Sequence, residues 1–306
     1  MFKRLLVPLD GSKLAEAILP VTSYMAEKFG AEILLIHAIE QDAPDTVHGE
    51  RHLAAANEAE AYLDEIAARL ARPNVVVTKH VHTAILKSEI ARSILDHALE
   101  HQADLVMLCA HGHGGWRDRF VGNIAQQVIS LGTTPVVCLN HEESNTIAEY
   151  VCHNILLPLD VSPHHEPAFP VAKEMAHVFG ATLHLINVVP TRSTLSPERA
   201  GTGMLLPSTM SKILELSQEE AVDYLQGKMR ELSSETIRAT AQVARGDIAT
   251  ALLDAEMRAD VDLIVLATHG RTSMDAFWSG SVTPKVLAQS QAPVLLVRVT
   301  GEEAER

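Results

Sequence analysis

The chain states one pattern twice, and this repetition constrains its fold more than any other property. ADLVMLCAHGHGGWRDRFVGNIAQQVISLGTTPVVCL, Ala103 to Leu139, returns as VDLIVLATHGRTSMDAFWSGSVTPKVLAQSQAPVLLV, Val261 to Val297. Gly112, Gly122 and Pro135 match Gly270, Gly280 and Pro293 at a single offset, 270 − 112 = 280 − 122 = 293 − 135 = 158. Earlier in each copy, Arg4 to Asp10 matches Asn154 to Asp160, and Phe29-Gly30-Ala31 matches Phe179-Gly180-Ala181, at 160 − 10 = 150. A duplication in 306 residues implies two domains of about 150 residues, a size at which one core buries most of its apolar surface. The expected division is a first domain at 1–141, a polar linker at 142–153, a second domain at 154–299 and a tail at 300–306. The change of offset, 158 − 150 = 8, places eight extra residues between the second and fourth strands of the second copy. The Ser/Thr/Pro/Gly-rich stretch Thr191 to Ser211 is the expected place, as a loop.

Each copy alternates apolar runs with helical periodicity. Arg4 to Leu9 reads as a strand, and Asp10-Gly11-Ser12 as a turn into a helix with apolar positions at Ala17, Val21, Met25 and Phe29. Gly30 ends that helix. A strand from Glu32 to Ile39, a helix from Gly49 to Ala71, a strand from Asn74 to His80 and a helix from Lys87 to His101 follow. Strands separated by helices mean an α/β fold with a parallel sheet covered on both faces. The closing apolar strands, Pro135 to Leu139 and Pro293 to Val297, are expected to pair, because an open apolar edge invites association.

Charge narrows the function. A net charge of −14 and a pI near 5.5 leave no basic face for a nucleic-acid backbone, so no nucleic-acid partner is expected. MFKRLLVPLDGS is too short an apolar run for a secretory signal, and no run approaches the roughly 18 apolar residues of a membrane helix. The expectation is a cytoplasmic protein without a membrane partner. Cys109, Cys138 and Cys152 have no CxxC spacing, and no disulfide framework is expected.

The chemistry concentrates where a strand passes through a glycine-rich segment into a helix. Gly270 and Gly280-Ser281 place bare backbone and a hydroxyl at a strand end and a helix N-terminus, a setting that binds phosphate. The order of elements, with a strand ending in Pro-Leu-Asp and a strand ending in Thr-His-Gly followed by Gly-Ser, resembles the universal stress protein family over nearly the whole chain. The resemblance implies two tandem doubly wound domains, each a five-stranded parallel sheet with helices on both faces, related by a pseudo-twofold axis. It also implies a G-x2-G-x9-G-[ST] phosphate loop in nucleotide-binding members. The second copy reads Ala267-x2-Gly270-x9-Gly280-Ser281, and the first reads Cys109-x2-Gly112-x9-Gly122-Asn123. A Cβ occupies space that phosphate needs, and cysteine intrudes more than alanine. By the same resemblance, Pro158, Asp160 and Ser162 would hold the adenosine end, backbone at Val188 the adenine edge, and Gly246 the ribose, with His269 and Arg271 beside the phosphates. The weaker first-copy set is Pro8, Asp10, Ser12, Ala38, Gly112, Gly122 and Asn123.

Plainer readings compete. Asp10 and Asp160 suit helix caps as well as ligand contacts, and His111 and His269 suit loop ordering. The chain holds 16 histidines, but His164-His165 and His111 with His113 lack helical i, i+4 spacing with a third ligand, so no metal site is expected. Trp116, Phe120, Phe277 and Trp278 suit packing or an interface. No GxxxxGK[ST] places a lysine on β/γ-phosphates, so the expectation is a binder of ATP or another adenine nucleotide, with Mg as its companion ion. Enzymatic activity is expected to reach no further than slow ATP hydrolysis. The partners would be that nucleotide, unidentified proteins and a second copy of the chain. The rival expectation is a scaffold that binds no nucleotide and works by dimerisation.

Overall fold

The computed structural model describes residues 1–41, 46–47, 50–110, 121–140, 149–161, 166–195, 205–269 and 282–299. Two compact units divide them: 1–151 with 287–298, and 152–269 with 282–286 and 299.

In the first unit the chain runs β1 (Arg4–Pro8), α1 (Lys13–Glu16), α2 (Leu19–Phe29), β2 (Glu32–Glu40), a small hairpin β3 (Thr46–Val47) and β4 (Glu50–Arg51), then α3 (Ala56–Leu70) and β5 (Val77–Ile85). It continues through α4 (Ile90–Glu100), β6 (Leu105–Ala110), α5 (Asn123–Leu131) and β7 (Val136–Asn140). The main sheet is ordered β5-β2-β1-β6-β7, and all of these pairs are parallel. The strands are buried on both faces: Leu5, Leu6 and Val7 of β1, with Ile33 and Leu35 of β2, are at 0% exposure. Their unbroken apolar runs have that cause, since helices cover both sides of a parallel sheet.

The second unit runs β8 (Asn154–Pro158), α6 (Ala168–Phe179), β9 (Thr182–Val189), α7 (Pro207–Ser234), β10 (Ala239–Arg245), α8 (Ile248–Ala259), β11 (Leu263–His269) and α9 (Val282–Gln289). Its parallel order, β10-β9-β8-β11, repeats the first unit's. The last strand, β12 (Val294–Val299), pairs antiparallel with β7 through Val294↔Cys138, Leu295↔Val137 and Leu296↔Val136. The amide of Asn140 donates to the Ala288 carbonyl at 2.9 Å beside that pairing. The two closing strands therefore pair with each other, as their apolar edges demand.

Local chemistry repeats along with topology. Gly30 and Gly180 end α2 and α6 in left-handed conformation, at φ 62° and 68°. Asp104 accepts from the N–H groups of Lys3 and Arg4 at 2.8 and 3.1 Å. Asp262, its counterpart at 262 − 104 = 158, accepts from those of His153 and Asn154 at 2.7 and 2.9 Å. Each aspartate thus ties the start of its domain's fourth strand to the start of the first.

The structure moves several sequence boundaries. The helix expected from Gly49 begins at Ala56, because Thr46–Val47 and Glu50–Arg51 pair as strands instead. The third strand, expected at Asn74 to His80, runs Val77–Ile85, and the following helix is α-helical over Ile90–Glu100 after a 3₁₀ turn at Lys87–Glu89. Sheet register refines the offset. Val77 pairs with Ile33 and Ala239 with Leu183, so the third strands are related by 239 − 77 = 162. Twelve residues (162 − 150) enter before the third strand and four (162 − 158) leave after it. The added length is not all loop, because α7 has 28 residues where α3 has 15.

Asp262→Ala should lower second-domain stability by about 1.5 kcal/mol, the scale of hydrogen bonds to a charged acceptor that is only partly buried. Urea unfolding followed by domain-specific proteolysis checks this: the second domain's midpoint falls and the first domain's does not.

Candidate functional site

A parallel sheet sends the carboxyl ends of all its strands to one edge, and ligands in such folds settle where neighbouring crossovers diverge. In the second unit that point lies between β8 and β11, with β9 alongside. Pro158 closes β8 and pairs with Ile186, while Val188 and Val189 pair with Ala244 and Arg245. Asp160, next after Leu159, is exposed. Asn187, at 5% exposure, donates its amide N–H to the Leu159 carbonyl at 2.8 Å and holds this turn against β9. Gly246 follows β10 at φ +132°, a conformation that side chains disfavour, and a Cβ built there meets nothing within 4 Å. Its N–H donates to the Val189 carbonyl at 3.1 Å, and its carbonyl accepts from the Thr194 hydroxyl at 3.1 Å. Asp247 caps α8 by accepting from the backbone N–H and the hydroxyl of Thr250 at 3.0 and 2.9 Å. These hydrogen bonds hold its carboxyl below the ordinary value.

Lys285, in α9, stands 4.0 Å from the Asp247 carboxylate with its ammonium group largely exposed. This cation escaped the sequence reading, which sought a lysine only in a Walker spacing. Ala267 lies within β11, and His269 is that strand's last residue. Ser162, Gly270, Arg271, Gly280 and Ser281 lie outside the described residues, as does Gly112 in the first copy. Pro158, Asp160, Val188, Gly246 and Ala267 are carried by neighbouring strands or the turns that follow them.

In the first unit the residues equivalent to Asp160 and Ser162 are bonded to each other. Asp10 accepts from the N–H of Ser12 at 2.9 Å and from its hydroxyl at 2.6 Å. Ser12, fully buried, accepts in turn from the N–H of Ala15 at 3.1 Å and caps α1. Between them Gly11 sits at φ +90°, and a Cβ there would lie 2.9 Å from the Leu53 side chain. Glu50 accepts from the Lys13 N–H, and His52 is buried. The chain's own segment from Glu50 to Leu53 therefore lies over the turn that follows β1. Pro8 closes β1, and Ala38 pairs with His82. Gly122 caps α5 with ordinary negative φ, and the Asn123 side chain accepts from Gln127 at 3.0 Å along its own helix.

The model of the universal stress protein family matches residues 1–140 and again 152–298. The chain belongs to the universal stress protein family. Among curated relatives, universal stress protein YxiE of Bacillus subtilis is 24% identical over 148 residues, covering 45% of this chain and 98% of YxiE. A universal stress protein of Thermus aquaticus is 29% identical over 146 residues, covering 45% of this chain and 98% of its own. Among solved structures, a universal stress protein from Archaeoglobus fulgidus aligns with TM-score 0.69 at 15% identity, over 98% of this chain and 97% of its own. Its likeness shows a shared two-copy fold. Among the described residues, no helix is long and apolar enough to cross a membrane.

One difference between the two copies of this universal stress protein is titratable. His37 occupies the place of Asn187 (187 − 37 = 150), and its Nδ1–H donates to the Leu9 carbonyl at 2.8 Å. Burial pushes its pKa down. Above about pH 6.5 the ring is neutral in folded and unfolded chains alike. Below that value the unfolded chain takes up the proton first, so stability is lost as pH falls towards the lowered folded value. His37→Asn, which copies the second domain's side chain, should keep the carbonyl bond and flatten first-domain stability between pH 6.5 and 5. Denaturation midpoints measured across that range check the change in slope.

Proposed function

We propose that this universal stress protein binds an adenine nucleotide, ATP with Mg, at the carboxyl edge of its second domain. The observation that carries the reading is the carboxyl edge of the second copy: Asp160 is exposed after β8, and Gly246 follows β10 at φ +132° with nothing within 4 Å of where a Cβ would stand. The sequence adds the phosphate pattern Ala267-x2-Gly270-x9-Gly280-Ser281, closer to the family form than the first copy's. In this reading Asp160 and Ser162 accept from or donate to the ribose hydroxyls, with Pro158 against the adenosine. Backbone at Val188 meets the adenine edge, and the Gly246 turn leaves room for the sugar. Gly270, Gly280 and Ser281 aim N–H groups and a hydroxyl at the phosphates, where Arg271 and Lys285 add positive charge. No carboxylate is assigned to activate water, so binding rather than turnover is the function, with slow hydrolysis as its upper limit. The nucleotide then biases contacts with protein partners or a second copy in the cytoplasm. A scaffold without nucleotide is the alternative that the same experiment separates.

Calorimetry with ATP and Mg should give one site per chain. Gly280→Val should abolish binding while circular dichroism stays native, because the branched side chain fills the phosphate space. Asp160→Ala should weaken binding by about 1.5 to 3 kcal/mol, the scale of one charge-assisted hydrogen bond, and leave residual affinity. A folded Gly280→Val protein that binds ATP like the parent would favour the scaffold.

A further inference from the structure

In the first unit, at residues with no role in the nucleotide reading, four histidines converge. His80 and His82 alternate on β5 and so project from one face of the strand. His97 and His101 are four apart, one at the C-terminal end of α4 and the other at its cap, and so share one face of the helix. The potential ligand nitrogens of His80, His82 and His97 all lie within 4.8 Å of one another. The His101 ring is 5.9 Å from that of His80 and stacks 6.0 Å from that of His97. We propose that His80, His82 and His97 form a binding site for a divalent transition-metal ion of the zinc type, with His101 at hand as a fourth ligand.

Three observations favour a built site over a chance surface cluster. The first is geometric. Zinc–nitrogen bonds of 2.0–2.1 Å in a tetrahedron hold ligand nitrogens about 3.3 to 3.4 Å apart. His82 Nδ1 and His97 Nε2 are already 3.3 Å apart. The second is orientation. His97, at 5% exposure, donates Nδ1–H to the Ser93 carbonyl at 2.7 Å. That bond fixes the tautomer and leaves the Nε2 lone pair facing the cluster, as metal-ligating histidines require. The third comes from the duplication. His80 pairs with Ile36 and His82 with Ala38, while Gln242 pairs with Ile186 and Ala244 with Val188, the same partners displaced by 150. On the helix, the counterparts of His97 and His101 at an offset of 158 are Ala255 and Ala259. The second copy builds the same strand and helix with no histidine at these places, so the fold does not call for them.

Charge agrees with a cation. Glu89, Asp96 and Glu100 line the same groove, against the single positive charge of Arg92. Imidazole donors suit zinc, copper and nickel and exclude magnesium and calcium, which take oxygen. The ion would join the outermost strand of the unit's main sheet to α4 through their side chains.

The test is equilibrium dialysis of the full, tag-free chain against zinc chloride at pH 7.5, with cobalt as a spectroscopic probe. The expected result is one ion per chain with the visible absorption of tetrahedral cobalt–nitrogen ligation. The double variant His80→Gln/His82→Gln removes two side chains that are not fully buried. It should remain folded by circular dichroism and lose at least tenfold in affinity, along with the cobalt band. His97→Ala should do the same, and ATP binding should not change in either variant. No zinc uptake by the parent, or equal uptake by the folded double variant, would overturn the proposal.

Discussion

A parallel ladder governs this protein. Parallel neighbours cannot be joined by a tight turn, so every connection must cross a face of the sheet, and helices provide the crossing. Both faces are thereby covered, and the strands become the unbroken apolar runs seen in β1, β6, β8 and β11. The same geometry gathers every strand's carboxyl end at one edge, where loops are free of packing duty. What remains to be fixed is the alignment of strand starts. Asp104 and Asp262 supply it, each holding two N–H groups at the start of its domain's first strand.

On that shared frame the two copies have taken separate courses. Asp160 is exposed after β8, and in the first copy Asp10 is half-buried, bonded to the buried Ser12, with Glu50 to Leu53 over that turn. Where the second has Asn187, the first has a buried histidine making the same carbonyl bond. Where the second has Gln242, Ala244, Ala255 and Ala259, the first has four histidines. A duplication permits such divergence, because each copy can change its side chains while the shared frame is kept.

Much of this was legible in the residues. Equal spacing of Gly112, Gly122 and Pro135 with Gly270, Gly280 and Pro293 revealed the copies, and helix-ending glycines at 30 and 180 marked the same boundary twice. Boundaries that depend on competition between local and distant contacts were harder. Helical composition after Gly49 gave no sign that Thr46–Val47 and Glu50–Arg51 would pair as a hairpin, nor that Leu53 would seat on Gly11. Added length in the second copy read as loop because Thr191 to Ser211 is rich in turn residues, yet α7 starts inside it at Pro207. The histidine cluster left a signal in the spacings 80–82 and 97–101. Only the packing of β5 against α4 joins two pairs that lie 15 residues or more apart.

The central claim, an adenine nucleotide held by the second domain and not by the first, is tested most directly by photolabelling. The chain would be irradiated with 8-azido-ATP and Mg, with and without excess ATP, and the labelled peptides mapped by mass spectrometry. The account predicts label confined to peptides within 154–299, near Asp160 or Val188, and suppressed by ATP. Label on peptides around Asp10 and Ala38, or none that ATP displaces, would contradict it.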